Sequence, residues 1–182
     1  LMDMIKSNGL VISALCGDLG SGGFSFVENN PAKIERSKRI VDLAKDLGVD
    51  IITTHIGVVP RDPSHPRYAV MQQACGELAE YAASVGAHFA VETGPEPAEV
   101  LRMFLDSIKS DGLGVNLDPA NLKMVCDDDP VLAVYMLKDY IVHTHAKDGV
   151  MLHYKDPEII YGLKQETIVT DSSFAEVPLG TG

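Results

Sequence analysis

Five short apolar runs punctuate the chain: GLVISALC at 9–16, VDIITTHIG at 49–57, AHFAVETG at 87–94, GLGVNLD at 112–118 and YIVHTHA at 140–146. Between them, apolar residues return every three or four positions, the spacing of one buried helix face. The first such stretch, Pro31 to Leu47, places Ile34, Ile40, Val41, Ala44 and Leu47 on one stripe, with Asn30 as N-cap, Pro31 at the first helical position and Gly48 just past the end. A second carries Val70, Met71, Ala74, Leu78, Ala82 and Val85 before Gly86. A third carries Val100, Leu101, Phe104, Leu105 and Ile108 before Gly112, and Asp129 with Pro130 opens a fourth. Residues 1–9 read as the tail of a helix feeding the first run. Strands alternating with helices predict βα units around a parallel sheet.

Composition narrows the setting. With 182 residues, 46% of them hydrophobic, one domain spanning 1–182 is expected to form around a single core. A net charge of -11 argues against a nucleic-acid partner, which requires a basic face. Cys16, Cys75 and Cys126 form no CxxC pair and are odd in number, as in a reduced, cytoplasmic protein. No apolar run reaches membrane-spanning length, and the first residues lack a small-residue cleavage site, so neither a membrane partner nor a secretory signal is expected.

The chemistry gathers where runs end. Glu92, Asp118 and His145 close three consecutive runs at intervals of 26 and 27 residues, about one strand-helix repeat. Residues at the same place in successive repeats converge on one mouth, and carboxylates with an imidazole suit Mn²⁺, Mg²⁺, Co²⁺ or Zn²⁺. The two carboxylates have plainer alternatives: Glu92 as a helix-start cap, Asp118 as the first residue of an Asp-Pro turn. His143 and His145 share a strand face. His145, nearer the strand end, is the better ligand, with His143 a hydrogen-bonded core histidine below it. His55 ends the second run, as a substrate contact or a loop histidine. CGDLGSGGFS lacks a nucleotide-binding fingerprint and reads as a mobile loop at the mouth. Asp127 to Asp129 read as a solvated helix start, and His65, His88 and His153 have no spacing that recommends them.

Five strings in order, THIGVVP, VETGPEP, GVNLDPANL, HTHAKDG and EVPLGTG, together resemble the sugar phosphate isomerase/epimerase family, whose fold is the xylose-isomerase-like (β/α)8 TIM barrel. The resemblance spans about residues 10 to 182. It implies a divalent metal at the C-terminal face held by Glu92, Asp118, His145 and a further glutamate. The substrate is a small sugar or sugar phosphate, and Glu92 doubles as the base that forms an enediolate. Asn121, three residues after Asp118, is read with His55 as a substrate contact, and it departs from the histidine that related ketose epimerases often carry there. Lys147 is assigned to a substrate phosphate and Asp148 to orienting a ligand, with a surface ion pair between them as the alternative. A full barrel needs ~250 residues, so the expectation is an α/β, incomplete TIM barrel of about five βα units resembling strands 2 to 6, without the fourth ligand. Self-association, as a two-fold dimer covering open edges, and weak or no turnover follow. The alternatives are a non-catalytic barrel, an inosose-dehydratase-like lyase and, disfavoured by the acidic charge, an endonuclease-IV-like repair enzyme.

Overall fold

The computed structural model describes residues 2–20, 22–166 and 171–182. Its elements begin with α1 (Met2–Ser7), β1 (Leu15–Cys16), α2 (Asn30–Asp46) and β2 (Ile51–Thr54). There follow α3 (Pro66–Ser84), β3 (His88–Glu92), α4 (Ala98–Ile108) and β4 (Leu113–Leu117). A short α5 (Pro119–Asn121) runs into a π-helical turn (Leu122–Cys126), then α6 (Pro130–Leu137), β5 (Ile141–Thr144), β6 (Asp148–Met151), α7 (Pro157–Ile160) and β7 (Phe174–Val177).

All five predicted strands form one parallel sheet in the order β1-β2-β3-β4-β5. An order that never reverses is the winding of a barrel; a doubly wound sheet would switch direction at its middle. The fold is thus the expected incomplete TIM barrel, an open array of five βα-type strands. Phe89, Val91, Val115, Ile52, Leu78, Leu101, Phe104 and Leu137 fill the space between this sheet and the helices.

Several local expectations are corrected. Asn30 is the first helical residue rather than the N-cap: Asn29 takes that place, and the Asn30 side chain donates to the Phe24 carbonyl at 3.0 Å. The third helix runs to Ile108 ahead of Gly112, as expected, and is closed by Lys109 as its C-cap in the left-handed region at φ 55. Gly112 serves packing instead: a Cβ there would lie 2.0 Å from the Ala79 carbonyl of α3. The aspartate run is no merely solvated helix start. Asp129 caps α6 through the amides of Val131 and Leu132, while Asp128 accepts from the Ala98 amide at the head of α4. His65 caps α3 by accepting from the Arg67 amide.

Two strands were not anticipated. β6 and β7 pair antiparallel, apart from the main sheet. Asp148 fixes their surroundings by accepting from the amides of Gly180, Thr181 and Gly182, and these contacts, the Gly182 amide first, hold its carboxyl below the usual range. Among the described residues, no helix is long and apolar enough to cross a membrane.

Candidate metal centre

The register of the sheet decides which side chains meet. β3 pairs with β4 so that Glu92 stands opposite Asn116, two residues below Asp118. Between β4 and β5 the register shifts by one residue at Val115/Asn116, bringing His143 opposite Asn116 and carrying His145 level with Asp118. The Glu92 side chain is one methylene longer than aspartate and reaches up to the same level. One ligand atom each from Glu92, Asp118 and His145 lies within 4.8 Å of the others. The three residues expected to converge do so at the C-terminal ends of adjacent parallel strands.

Hydrogen bonds hold the group from beneath. Asn116, fully buried in mid-strand, donates to Glu92 Oε2 and to His145 Nε2, and its carbonyl faces His143 Nδ1 at 2.7 Å. Thr93 clasps the Asp118 backbone: its hydroxyl accepts from the Asp118 amide at 2.8 Å and donates to the Asp118 carbonyl at 3.0 Å. Asp118 Oδ1 accepts from the Asn121 amide at 2.9 Å, so the Asp-Pro turn reading holds together with the convergence. With Asn116 donating to Nε2, the His145 proton sits on Nδ1, 3.0 Å from Glu92 Oε1 and 3.2 Å from Asp118 Oδ2.

This arrangement fits a divalent cation. The Glu92 and Asp118 side chains are 4% and 1% exposed, and buried carboxylates require positive partners. Here the His145 N–H and the Lys147 ammonium, 3.4 Å from Asp118 Oδ2, fill that role. Burial raises the Glu92 carboxyl, against the Asn116 hydrogen bond and the neighbouring histidines, which lower it.

The remaining predicted residues lie around this centre. Asn121 donates to Glu92 Oε1 at 3.4 Å and accepts from Lys147 Nζ at 2.8 Å. Lys147 also meets Glu176 at 3.1 Å, so Lys147 and Asp148 diverge rather than pair. His143 is hydrogen-bonded as expected, to Asn116 and at 3.3 Å to Ser13, but on the half-exposed edge strand rather than in the core. Burial, then His145, lowers its pKa. His55 follows β2, whose Thr54 pairs with Val91, so it stands beside Glu92. Its Nδ1 lies 3.6 Å from Asp18 Oδ2, and its ring packs at 5.6 Å on Tyr161. Burial pulls the His55 pKa down, but Asp18 and the fields of Glu92 and Asp118 outweigh it and hold it raised.

Beside His55 opens a cavity of about 280 Å³ lined by Asp18, Gly22, Gly23, Gly57 and Tyr161 among others. The glycine-rich loop therefore does border the mouth; its Ser21 lies outside the described residues. Gly23 packs so closely that a Cβ would fall 2.0 Å from the Ile56 carbonyl carbon.

Sequence reasoning missed Asn116, Thr93, Asp18 and Tyr161. Asn116 carried a signal, an amide in an apolar strand two residues before Asp118 and so on the same face. Tyr161 carried none.

The family model for the xylose isomerase-like TIM barrel matches residues 1–182. Among solved structures, a xylose isomerase domain protein from Planctomyces limnophilus superposes with a TM-score of 0.80 at 26% identity, covering 100% of this chain and 64% of that one. A D-tagatose 3-epimerase-like protein gives 0.69 at 18%, covering 85% and 62%. A xylose isomerase-like TIM barrel protein from Mycobacterium smegmatis, solved in complex with magnesium, gives 0.68 at 20%, covering 99% and 61%. This chain thus spans less than two thirds of these neighbours' lengths. No curated protein matches it.

Proposed function

The chain belongs to the xylose isomerase-like TIM barrel family, and from that premise we propose that it carries the metal- and base-bearing part of a sugar isomerase or epimerase site. The convergence of Glu92, Asp118 and His145 within 4.8 Å at adjacent strand ends carries the reading. Two oxygens and one imidazole nitrogen suit Mg²⁺, Mn²⁺, Co²⁺ or Zn²⁺, and the magnesium in the Mycobacterium smegmatis neighbour supports a hard divalent ion. Holding it at His145 Nδ1 would require the ring's other neutral tautomer, with the proton moved to Nε2. A bound divalent ion supplies Lewis acidity that polarises a carbonyl and spreads the charge left by proton removal.

The chain's own residues do the rest. Glu92, kept basic by burial, takes the proton from the carbon beside the substrate carbonyl. Asn116 orients that carboxyl and the His145 ring together. His55, aimed by Asp18, meets a substrate hydroxyl at the cavity, and Asn121 with Lys147 bounds the opposite side and binds a further hydroxyl or a phosphate oxygen. Glu92 serves one face of the substrate. Proton exchange is therefore expected without appreciable net inversion from this chain.

The test is deuterium wash-in. The chain, Mn²⁺ and a ketohexose in D₂O should give slow deuterium incorporation beside the carbonyl, lost in Glu92→Gln. Incorporation no faster than in that variant contradicts the base assignment, and release of water in place of exchange would mark a lyase.

A further inference from the structure

A second acidic side chain, outside the metal cluster, lies in the loop between β3 and α4. Glu96 is 3% exposed. Its Oε2 accepts from the Val59 amide at 2.8 Å, and its Oε1 is buried with no hydrogen-bond partner among the described residues. Glu96 follows Glu92 by four residues, and Val59 follows His55 by four. The single hydrogen bond therefore closes a ring across the two loops that carry the base and the substrate histidine. We propose that Glu96 is a positioning residue: a buried, proton-bearing carboxylic acid that ties the β2 loop to the β3 loop and fixes His55 relative to Glu92.

Burial beside a single hydrogen bond favours the neutral acid, and the hydrogen bond places its proton. Oε2 accepts from Val59 and so behaves as the carbonyl oxygen, leaving Oε1 as the hydroxyl. An ionised carboxylate with one hydrogen bond and no cation would be far costlier to bury than the neutral acid. The groups facing it are Cys75 from α3, Cys126 from the π-helical turn and Tyr161 from the segment after α7. All three have pKa values raised by burial first and by Glu96 second, Cys126 to about 12; thiols and phenols carry no positive charge in either protonation state, so none offers Glu96 a cation. The head of α4, which would favour an anion, already has Asp128 on the Ala98 amide. Burial accordingly lifts Glu96 to about 8. Cys126 reinforces the same loop by donating its thiol to the Gly94 carbonyl at 3.0 Å.

The link to catalysis rests on the function proposed above; the tether itself does not. Two measurements on the whole chain separate them. In the metal-free protein, the Val59 amide proton shift followed by NMR from pH 5 to 9.5 should titrate near pH 8 and be flat in Glu96→Gln, which keeps an acceptor for Val59 but has no proton to lose. In Glu96→Ala the amides of His55 and Thr93 should shift together, with recovery in Glu96→Gln. Mn²⁺ affinity by calorimetry should match wild type within about twofold in Glu96→Gln and fall ~10 to 100-fold in Glu96→Ala, as when a supporting contact is lost. A Val59 shift that is flat, or that titrates in the ordinary carboxylate range, overturns the proton. A folded Glu96→Ala with unmoved His55 and Thr93 amides overturns the positioning role. If Glu96→Ala does not fold, the Val59 titration in wild type and Glu96→Gln decides. Absence of Mn²⁺ binding in wild type, with the NMR results as expected, refutes the metal reading and upholds the tether.

Discussion

The β3–β4 pair and the β5–α6 flank have similarly apolar sequences and opposite fates. Every residue of β4 is buried, as are four of the five in β3. In β5 none is fully buried, and on α6 the side chains of Val131, Leu132 and Tyr135 remain 64%, 53% and 70% exposed. Hydropathy thus sets which residues form strands and helices, while burial requires a neighbour on each side. The contrast runs through the candidate metal centre. Glu92 and Asp118 belong to the inner strands, at 4% and 1% exposure, whereas His145 belongs to the flank at 41%. Two of these residues are held by packing; the third depends on the Asn116 bond and on the Leu117 carbonyl, which accepts from the His145 amide and the Thr144 hydroxyl at 2.9 Å.

The inner region should show the largest effect. Phe89→Ala removes a fully buried ring that meets Phe24 edge-on and should cost ~3 to 5 kcal/mol of unfolding free energy by denaturant titration. A loss below ~1 kcal/mol would mean that β3 is not the centre of the core. For the metal-facing residues, Asp118→Ala should weaken Mn²⁺ binding more than His145→Ala, because it also strips the Asn121 amide of its acceptor and Lys147 of one of its carboxylate partners. We expect at least the ~10 to 100-fold typical of losing a supporting contact for His145→Ala, and more for Asp118→Ala. Equal affinities by calorimetry would erase the distinction between packed and flank ligands.

pH sharpens it further. Glu92, raised by burial, and His55, raised by Asp18 against burial, both hold protons more tightly in the folded chain than in the unfolded one. Their stabilisation is complete below the unfolded values, about 4.3 and 6.5, and is lost as pH climbs through the folded ones. Metal binding runs the other way, since the ligands must shed protons. Thermal melts from pH 5 to 9 should show the metal-free Tm falling while the increment from Mn²⁺ grows; a metal-free Tm that rises across this window would contradict the assignment.

The smallest effect on stability belongs to the flank. Tyr135→Ser should change unfolding free energy by no more than about 0.5 kcal/mol. We nonetheless expect it to reduce self-association, since α6 and the open β5 edge form the apolar surface that a two-fold partner would cover. Light scattering checks this: a wild-type chain that is monomeric at all concentrations defeats the association.

Much of this was legible from the chain alone, because strand ends and helix caps are local events. Gly48, Pro31 and Asp129 marked their boundaries by backbone chemistry, and the spacing of Glu92, Asp118 and His145 marked their convergence. What failed was non-local. The first run shrank to Leu15–Cys16 because Leu10 and Val11, 62% and 89% exposed, lie beyond any pairing strand. The β6–β7 pair joins Asp148–Met151 to Phe174–Val177, too far apart in the chain for a hairpin signal to announce it. The one-residue register shift at Val115/Asn116, which levels His145 with Asp118, is a property of two strands together and has no signature in either.

The central claim is that Glu92, Asp118 and His145 hold one divalent cation. Crystals of the chain grown with Mn²⁺ and measured near the manganese absorption edge test it most directly. The account predicts a single strong anomalous peak between these three side chains, with Glu92, Asp118 and His145 atoms at roughly 2.0 to 2.3 Å, in the range of such metal–ligand bonds. Crystals that contain manganese but show no peak there, or show it elsewhere with His145 still hydrogen-bonded to both carboxylates, would contradict it.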